Sequence, residues 1–412
     1  MRVYTARWLA TVAAPPIRGA AIAVEGDRVC LAGRAKDVLR EAPADVVVED
    51  LGEVVLVPGL VNAHTHLELS WLAADPPAAT EYVSWVEELV DRRASGTPAD
   101  VARYASDALS FVRARGTAAI GDVANGALTA AALGASGLHG VLFHEIYRLD
   151  VPDVDAVLRA ERAAVDDLER AVAHAGAAGR VRVALSPHAP HTVAPALLRA
   201  IAADAAHRGR PLSIHVAESD AEVEFLRDGT GAMADLFARR GFAPVAFAHP
   251  RRSPVEHLDR LGALTRDTLV VHAVHLSHAD LSRLQTRGAT VVTCPRSNAR
   301  LAVGRAPVPR LLAEGIPVAL GTDSVASAPD LDPFAELAAL RREHPGLAPA
   351  AALRIATVNG ARALGLADRL GTLEPGKLAA IVAIPLDPGV RDPLDAATSG
   401  PAVVRPLGTL AA

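Results

Sequence analysis

VVLVPGLVNAHTH, residues Val54–His66, decides how the chain is read. An apolar run rises through Val54, Val55, Leu56 and Val57, bends at Pro58-Gly59, and resumes as Leu60-Val61 before Asn62-Ala63-His64-Thr65-His66. Side chains alternate across a strand, so residues two apart share a face. His64 and His66 therefore project together from the end of a buried strand. Two imidazoles held side by side suit a divalent ion. An H-x-H pair is weak evidence alone, because most such pairs are surface or core accidents. Other segments have to complete the set.

Working outward, short Val/Ala/Leu-rich runs recur between longer helical stretches. Eight are expected as strands: Val54–His64, Thr117–Val123, Gly140–Ile146, Arg182–Ser186, Leu212–Val216, Thr268–Val274, Thr290–Thr293 and Pro317–Gly321. Amphipathic segments lie between them, including Tyr82–Arg92, Ala102–Arg115, Asp155–Ala173, Ala194–Arg208 and Ala221–Arg240. Continuous apolar strands alternating with helices predict a parallel sheet covered by helices. Eight units fit an α/β fold of the (β/α)8 TIM-like barrel type with insertions, whose usual size is about 250 residues. A doubly wound open sheet is the alternative, but no G-x-G-x-x-G follows the first strand to support it.

Residues 1–53 read differently, as short strands Arg2–Thr5, Ala20–Val24, Arg28–Leu31 and Val46–Glu49 punctuated by turns. After a last helix, Ala350–Leu364, the segment Gly371–Lys377 leads into an apolar strand, Ala379–Ile384, expected to join the N-terminal ones. The expected domains are a small β-sandwich from residues 1–53 and 366–412, and a barrel from residues 54–365.

Apolar residues make up 50% of the 412, charged residues 22%, and the net charge is −5. Such a balance describes a soluble globular protein with no electrostatic reason to seek nucleic acid or an anionic membrane. Cys30 and Cys294 are too few for a disulfide framework or a cysteine zinc site, which favours a reducing compartment. The stretch Trp8–Ala14 superficially resembles a signal peptide, but it is short and Pro15-Pro16 leads straight into patterned sequence. No apolar run reaches the length of a membrane span. A cytoplasmic protein acting on a small molecule is expected, and a homodimer is one assembly open to it.

In a barrel of this kind chemistry gathers at the carboxyl ends of the strands. Strand one ends in His64 and His66, strand two near Asp122 and Asn125, and strand three near His144 and Glu145. Strand four ends in Ser186-Pro187-His188, strand five in His215-Val216-Ala217-Glu218, and strand six in His272. Strand seven ends in Cys294-Pro-Arg-Ser-Asn298 and strand eight in Asp323-Ser324. Core histidines would scatter; here every strand end except the seventh carries a His or Asp to one rim. His139, His174, His207 and His344 are assigned to helix faces or loops. His191, His249, His257, His275 and His278 are read as solvated or packing residues in rim loops.

The set His64-x-His66, His215-x-x-Glu218, His272 and Asp323 resembles the amidohydrolase superfamily, and more narrowly its metal-dependent deaminase and chlorohydrolase branch. PGLVNAHTHLELS, the GTDSVAS around Asp323 and the closing GTLEPGKLA are similar to that branch over nearly the whole chain. Within it, SPHAPHTV (186–193), CPRSNARL (294–301) and GTDSVASAPDLD (321–332) most resemble members of the aminodeoxyfutalosine deaminase type, which act on an adenine nucleoside in menaquinone biosynthesis. Binuclear members of the superfamily bridge two ions with a carboxylated lysine at the end of strand four. This chain has Ser186-Pro187-His188 there, and its lysines are Lys36 and Lys377 alone. One divalent ion, Zn²⁺ or Fe²⁺, is the consistent expectation.

Three neutral imidazoles and a carboxylate (His64, His66, His215 and Asp323) leave one position for water on such an ion, whose pKa would fall towards about 7. Asp323 can ligate while accepting a proton, and the resemblance implies that His272 orients the nucleophile or leaving group. Glu218 lies beyond the strand end, where it can reach a bound ring and act as a general acid. His188 is a candidate contact for a substrate hydroxyl or ring edge. Trp85 is a candidate to stack on a base, with core packing as its competing role. The expected reaction is deamination of an aminopurine nucleoside, best matched by 6-amino-6-deoxyfutalosine. Guanine, adenosine-type, S-adenosylhomocysteine, triazine and imidazolone hydrolysis are alternatives in the same chemistry, and a catalytically silent barrel is the alternative outside it.

Overall fold

The computed structural model describes residues 1–242 and 250–411, so His249 lies outside the described residues. The strands are β1 (Arg2–Leu9), β2 (Ile17–Glu25), β3 (Arg28–Arg34), β4 (Val47–Asp50), β5 (Val54–Pro58), β6 (Leu60–Thr65), β7 (Thr117–Val123), β8 (His139–Ile146), β9 (Val181–Pro187), β10 (Leu212–Val216), β11 (Thr268–His272), β12 (Thr290–Thr293), β13 (Val318–Leu320), β14 (Ala380–Pro385) and β15 (Arg405–Gly408). The chain divides into two compact units. One comprises Met1–Ala63, Ser110–Ile120 and Asp332–Ala412, and the other His64–Leu109 and Gly121–Leu331.

In the first unit a seven-stranded sheet runs β15-β14-β5-β1-β2-β3, with β4 on β1. Strands from both chain ends thus share one sheet, as the apolar pattern of Ala379–Ile384 predicts. Strand β14 lies antiparallel to β5, from Ile381 opposite Pro58 to Pro385 opposite Val54. Its core includes Tyr4, Leu9, Ile22, Leu56, Ile381 and Leu407. The run Val54–His64, expected as one strand, is two. The Gly59 amide donates to Ala380 O at 2.8 Å, whereas the Leu60 amide donates to Gly116 O at 2.9 Å. The backbone therefore changes hydrogen-bonding partner across Pro58-Gly59. A side chain at 59 would place its Cβ 2.8 Å from that of Ala118, so the change of partner needs glycine. Strand β15 and the helix Pro393–Thr398 went unread in the sequence, being short and bordered by turn residues.

The parallel strands form two four-stranded sheets, β6-β7-β8-β9 and β10-β11-β12-β13. Every residue of β7, β10, β11, β12 and β13 is buried, the state that continuous apolar runs require. Beside β9, the His215 amide donates to His188 O at 2.9 Å, and Ser186 Oγ to Ser213 O at 2.7 Å. Beside β6, the amides of Thr322 and Asp323 both donate to His64 O, at 3.0 and 3.1 Å. The arrangement is α/β and TIM-barrel-like.

Helices follow their stripes. Val154–His174 buries Leu158, Leu168 and Val172 on one side, and Asp153 caps it by accepting the Ala156 amide. The expected helix Ala221–Arg240 is instead two, Asp220–Asp228 and Ala232–Arg239. Gly229 and Gly231, at φ 75° and 86°, take left-handed backbone that ends the first helix before the second begins. A π-turn, Ile355–Asn359, interrupts the expected helix Ala350–Leu364.

Candidate metal centre and catalytic pocket

The H-x-H pair sits where β6 ends. His64 Nε2 and His66 Nε2 lie 3.1 Å apart, and the His64 ring centroid is 4.8 Å from that of His215. The potential ligand atoms of His64, His66 and His215 fall within 4.8 Å of one another, as do those of His64, His272 and Asp323. Asp323 Oδ1 stands 3.7 Å from His64 Nε2 and 3.5 Å from His66 Nε2. Segments separated by more than 250 residues thus converge on one point.

Surrounding contacts aim these groups. His215 donates from Nδ1 to the His188 carbonyl at 3.0 Å, leaving Nε2 for the centre. Ser297 Oγ and Ser327 Oγ donate to Asp323 Oδ2 at 2.6 and 2.7 Å, leaving Oδ1 towards the imidazoles. The backbone cooperates. Ala217, His272, Ala273 and Asp323 adopt positive φ (52°, 68°, 50° and 58°), a conformation costly for residues with side chains. That strain collects at the carboxyl ends of β10, β11 and β13.

Electrostatics prepare the imidazoles as lone-pair donors. Burial lowers the pKa of His64, lowers that of His215 well below its usual value, and brings His66 down to about 3. All three are therefore neutral at physiological pH. Burial would raise Asp323, but the His64, His66 and His272 rings beside it hold it well below the usual carboxylate range. His272 behaves differently. Burial alone would lower it, yet the Glu218 and Asp323 carboxylates outweigh that and raise its pKa. Its Nδ1 donates to Asn298 Oδ1 at 2.9 Å, and its Nε2 faces Glu218 Oε1 at 3.6 Å. Burial raises Glu218, which accepts a 2.8 Å hydrogen bond from the Tyr82 hydroxyl. Three neutral nitrogens and a charged oxygen converging on one point are a donor set that fits a divalent cation.

A cavity of about 710 Å³ opens onto this point, bordered by His66, His188, His215, Glu218, His272 and Asp323. Its lining includes the apolar Val86, Leu89, Met233, Leu236 and Phe237 and the charged Arg93, Arg148, Asp150 and Arg240. His188 lines it, stacked on Tyr147 with ring centroids 4.1 Å apart. Trp85 lines it too, but is buried in an apolar cluster, and its indole N–H is engaged with Ala326 O at 3.2 Å.

Other sequence expectations divide. His144 does not face the rim: its Nε2 contacts Glu161 at 2.8 Å, on the helix Val154–His174. Neighbours on a strand point to opposite faces, so Glu145 turns the other way, within reach of His188 and His215. Asp122 is buried at the end of β7, where its Oδ1 accepts the Leu67 amide at 2.8 Å and burial raises its pKa to about 8. Asn125 pairs with the Glu145 backbone. Strand seven was read as bringing no His or Asp; it contributes Ser297 and Asn298, which hold Asp323 and His272. Tyr82, Ser297, Ser327 and Glu222 were not singled out in the sequence, because hydroxyls and a helix-start glutamate carry no spacing signature.

Gly321 lets the last strand approach the first. A Cβ there would lie 2.9 Å from His64 Cβ and 3.0 Å from Cys294 Sγ. Gly321→Ala is expected to displace His64, cost about 1–3 kcal/mol of stability and lower bound metal. Thermal unfolding together with elemental analysis checks this.

Comparison with known proteins agrees with the resemblance read from the motifs. The amidohydrolase family model matches residues 55–406. The aminodeoxyfutalosine deaminase of Deinococcus radiodurans is 34% identical over 84% of this chain and 81% of its own. The 5-methylthioadenosine/S-adenosylhomocysteine deaminase of Moorella thermoacetica is also 34% identical, over 90% of this chain and 83% of its own. A crystal structure of a zinc-bound adenosine deaminase from Xanthomonas campestris superposes with a TM-score of 0.78 and 26% identity, covering 99% of this chain and 89% of that one. The chain belongs to the amidohydrolase family and is a hydrolase of carbon–nitrogen bonds.

Proposed function

We propose that the protein is a metal-dependent hydrolytic deaminase of an adenine nucleoside, with 6-amino-6-deoxyfutalosine the leading substrate and futalosine plus ammonia the products. The observation that carries this reading is the convergence of Glu218, His272 and Asp323 around the imidazole cluster in the lining of the cavity. In this reading His64, His66, His215 and Asp323 hold one ion, Zn²⁺ before Fe²⁺. When bound, it supplies the Lewis acidity that makes water nucleophilic near neutral pH.

The chain's own groups then divide the proton work. As water oxygen bonds to the ring carbon bearing the amine, Glu218 delivers a proton from its carboxyl to the adjacent ring nitrogen. Burial raises its pKa, which favours the protonated form more than in an ordinary carboxyl, and the Tyr82 hydroxyl fixes its orientation. Asp323 takes the proton that water releases. His272, steadied by Asn298, hydrogen-bonds the new oxygen. Asp323 then passes its proton to the departing nitrogen, the new oxygen's proton returns to Glu218 as the carbon–oxygen double bond forms, and the carbon–nitrogen bond breaks to release ammonia. His188 is proposed to meet a hydroxyl or ring edge. The apolar residues of the lining, with Arg93, Arg148 and Arg240 among them, support a nucleoside whose 5′ substituent joins an apolar body to an acidic end; 5′-methylthioadenosine, apolar throughout that substituent, is the second reading.

Ammonia release from pure protein tests the reading. Turnover of 6-amino-6-deoxyfutalosine above 5′-methylthioadenosine, S-adenosylhomocysteine and guanine is expected; no release from it beside a good rate on another amine overturns the assignment. We propose further that the two parallel sheets close into one eight-stranded barrel within the expected span 54–365, from which Val54–Pro58 depart to join the sheet of the chain ends. The segments 1–53 and 366–412 would then form the small β-sandwich domain. Among the described residues no helix is long and apolar enough to cross a membrane, and a cytoplasmic location is proposed.

A further inference from the structure

Glu222 is almost completely buried, and its carboxylate does not serve the usual partner of a glutamate in a first helical turn. Ser219 caps the helix Asp220–Asp228 by accepting the Glu222 amide at 3.2 Å. The reciprocal bond of a capping box would run from the Ser219 amide to Glu222. Instead the carboxylate reaches further back: Oε1 accepts the Ala217 amide at 3.0 Å, and Oε2 accepts the Glu218 amide at 2.8 Å. Ala217 is one of the strained residues, at φ 52°. Its carbonyl in turn accepts the amides of Val274 and His275, at 3.0 and 2.9 Å. One buried side chain thereby clamps the turn after β10, and that turn is tied to the turn after β11. Glu218 leaves the first turn and His272 ends β11, with 3.6 Å between their polar atoms.

We infer that Glu222 is a positioning residue for Glu218, holding the left-handed turn at Ala217 so that the Glu218 carboxyl stays between the Tyr82 hydroxyl and His272. The argument is geometric. A non-glycine residue persists at positive φ only where its surroundings over-determine it. Two charge-assisted hydrogen bonds to consecutive amides do that at this turn. Without them the turn relaxes towards ordinary extended or helical backbone, and the Glu218 side chain leaves the cavity floor. The nearby His191, whose Nδ1 is 3.9 Å from Glu222 Oε1, is too distant for a hydrogen bond to compete with the amides. The inference rests on the role proposed above for Glu218, and it deepens that role.

Glu222→Gln tests it, because the amide keeps the size of the side chain while facing one backbone N–H with its own donor. Expected for Glu222→Gln is a fall in kcat of about 10–100-fold, with KM within about threefold and bound metal unchanged. In a Glu218→Gln background the same change is expected to cost less than about threefold, since two residues acting as one unit are non-additive. A merely structural role would multiply the two losses, and equal fold-losses in both backgrounds overturn the inference. A second arm needs no substrate: amide hydrogen exchange at Ala217 and Glu218 is expected to speed up in Glu222→Gln while that of Ser213 and Ile214 within β10 does not. Unchanged exchange at both amides also overturns it. Failure of wild-type deamination alone would count against the proposed reaction and leave the exchange arm to decide the clamp.

Discussion

Glu218→Gln is expected to retain its metal and to lose about 10²–10⁴ in kcat, the usual contribution of a positioned general acid. The substitution is close to isosteric, and its carbonyl oxygen still accepts the Tyr82 hydroxyl, so the cavity floor keeps its shape. It lacks the acidic proton. Burial is the main reason that the Glu218 carboxyl holds a proton more tightly than usual, and an amide has no counterpart to that transfer. Binding of the ground-state ring does not draw on the proton, so KM should move little while kcat and kcat/KM fall together. Steady-state kinetics beside elemental analysis separate the two effects, and near-normal turnover would remove Glu218 from the chemistry.

The second large effect is expected for His215→Ala. Its Nε2 is directed to the centre because Nδ1 is spent on the His188 carbonyl. Loss of an outer hydrogen-bonding partner of a metal ligand typically costs about 10–100-fold in affinity, and loss of the ligand itself should exceed that. The variant should therefore purify with little metal and negligible activity. Because the imidazole is neutral when buried, its removal uncovers no unpaired charge, and the fold should persist. Metal stoichiometry with circular dichroism checks both parts; full metal content in a folded variant would exclude His215 as a ligand.

Much of this site was legible from strand ends. His64, His66, His215, Glu218, His272 and Asp323 all follow apolar runs, and such runs must be buried and parallel if helices separate them. What escaped has physical causes. His144 was assigned to the rim together with Glu145, although adjacent strand residues face opposite ways; alternation alone would have sent one of them to Glu161. The hydroxyls of Tyr82, Ser297 and Ser327 lie on helices or turns, where composition does not distinguish a buried donor from a solvated one. Left-handed backbone at Ala217, His272, Ala273 and Asp323 is invisible for the same reason, since none of these residue types advertises a positive φ as glycine does. The division of Val54–His64 was half visible: Pro58-Gly59 marked a bend, but only hydrogen-bond partners show that two different sheets claim its halves.

One contact reaches beyond catalysis. The amides of Thr322 and Asp323 bond to the carbonyl of His64, and the Thr65 hydroxyl bonds to the carbonyl of Asp323. The peptide units that join the start of the parallel strands to their end are thus the same ones that bear two proposed ligands. A cation gripped there would act as a rivet across the seam, and any binding confined to the folded chain adds to its stability by mass action. Loading the ion and fastening the outermost strands to each other would then be a single thermodynamic event.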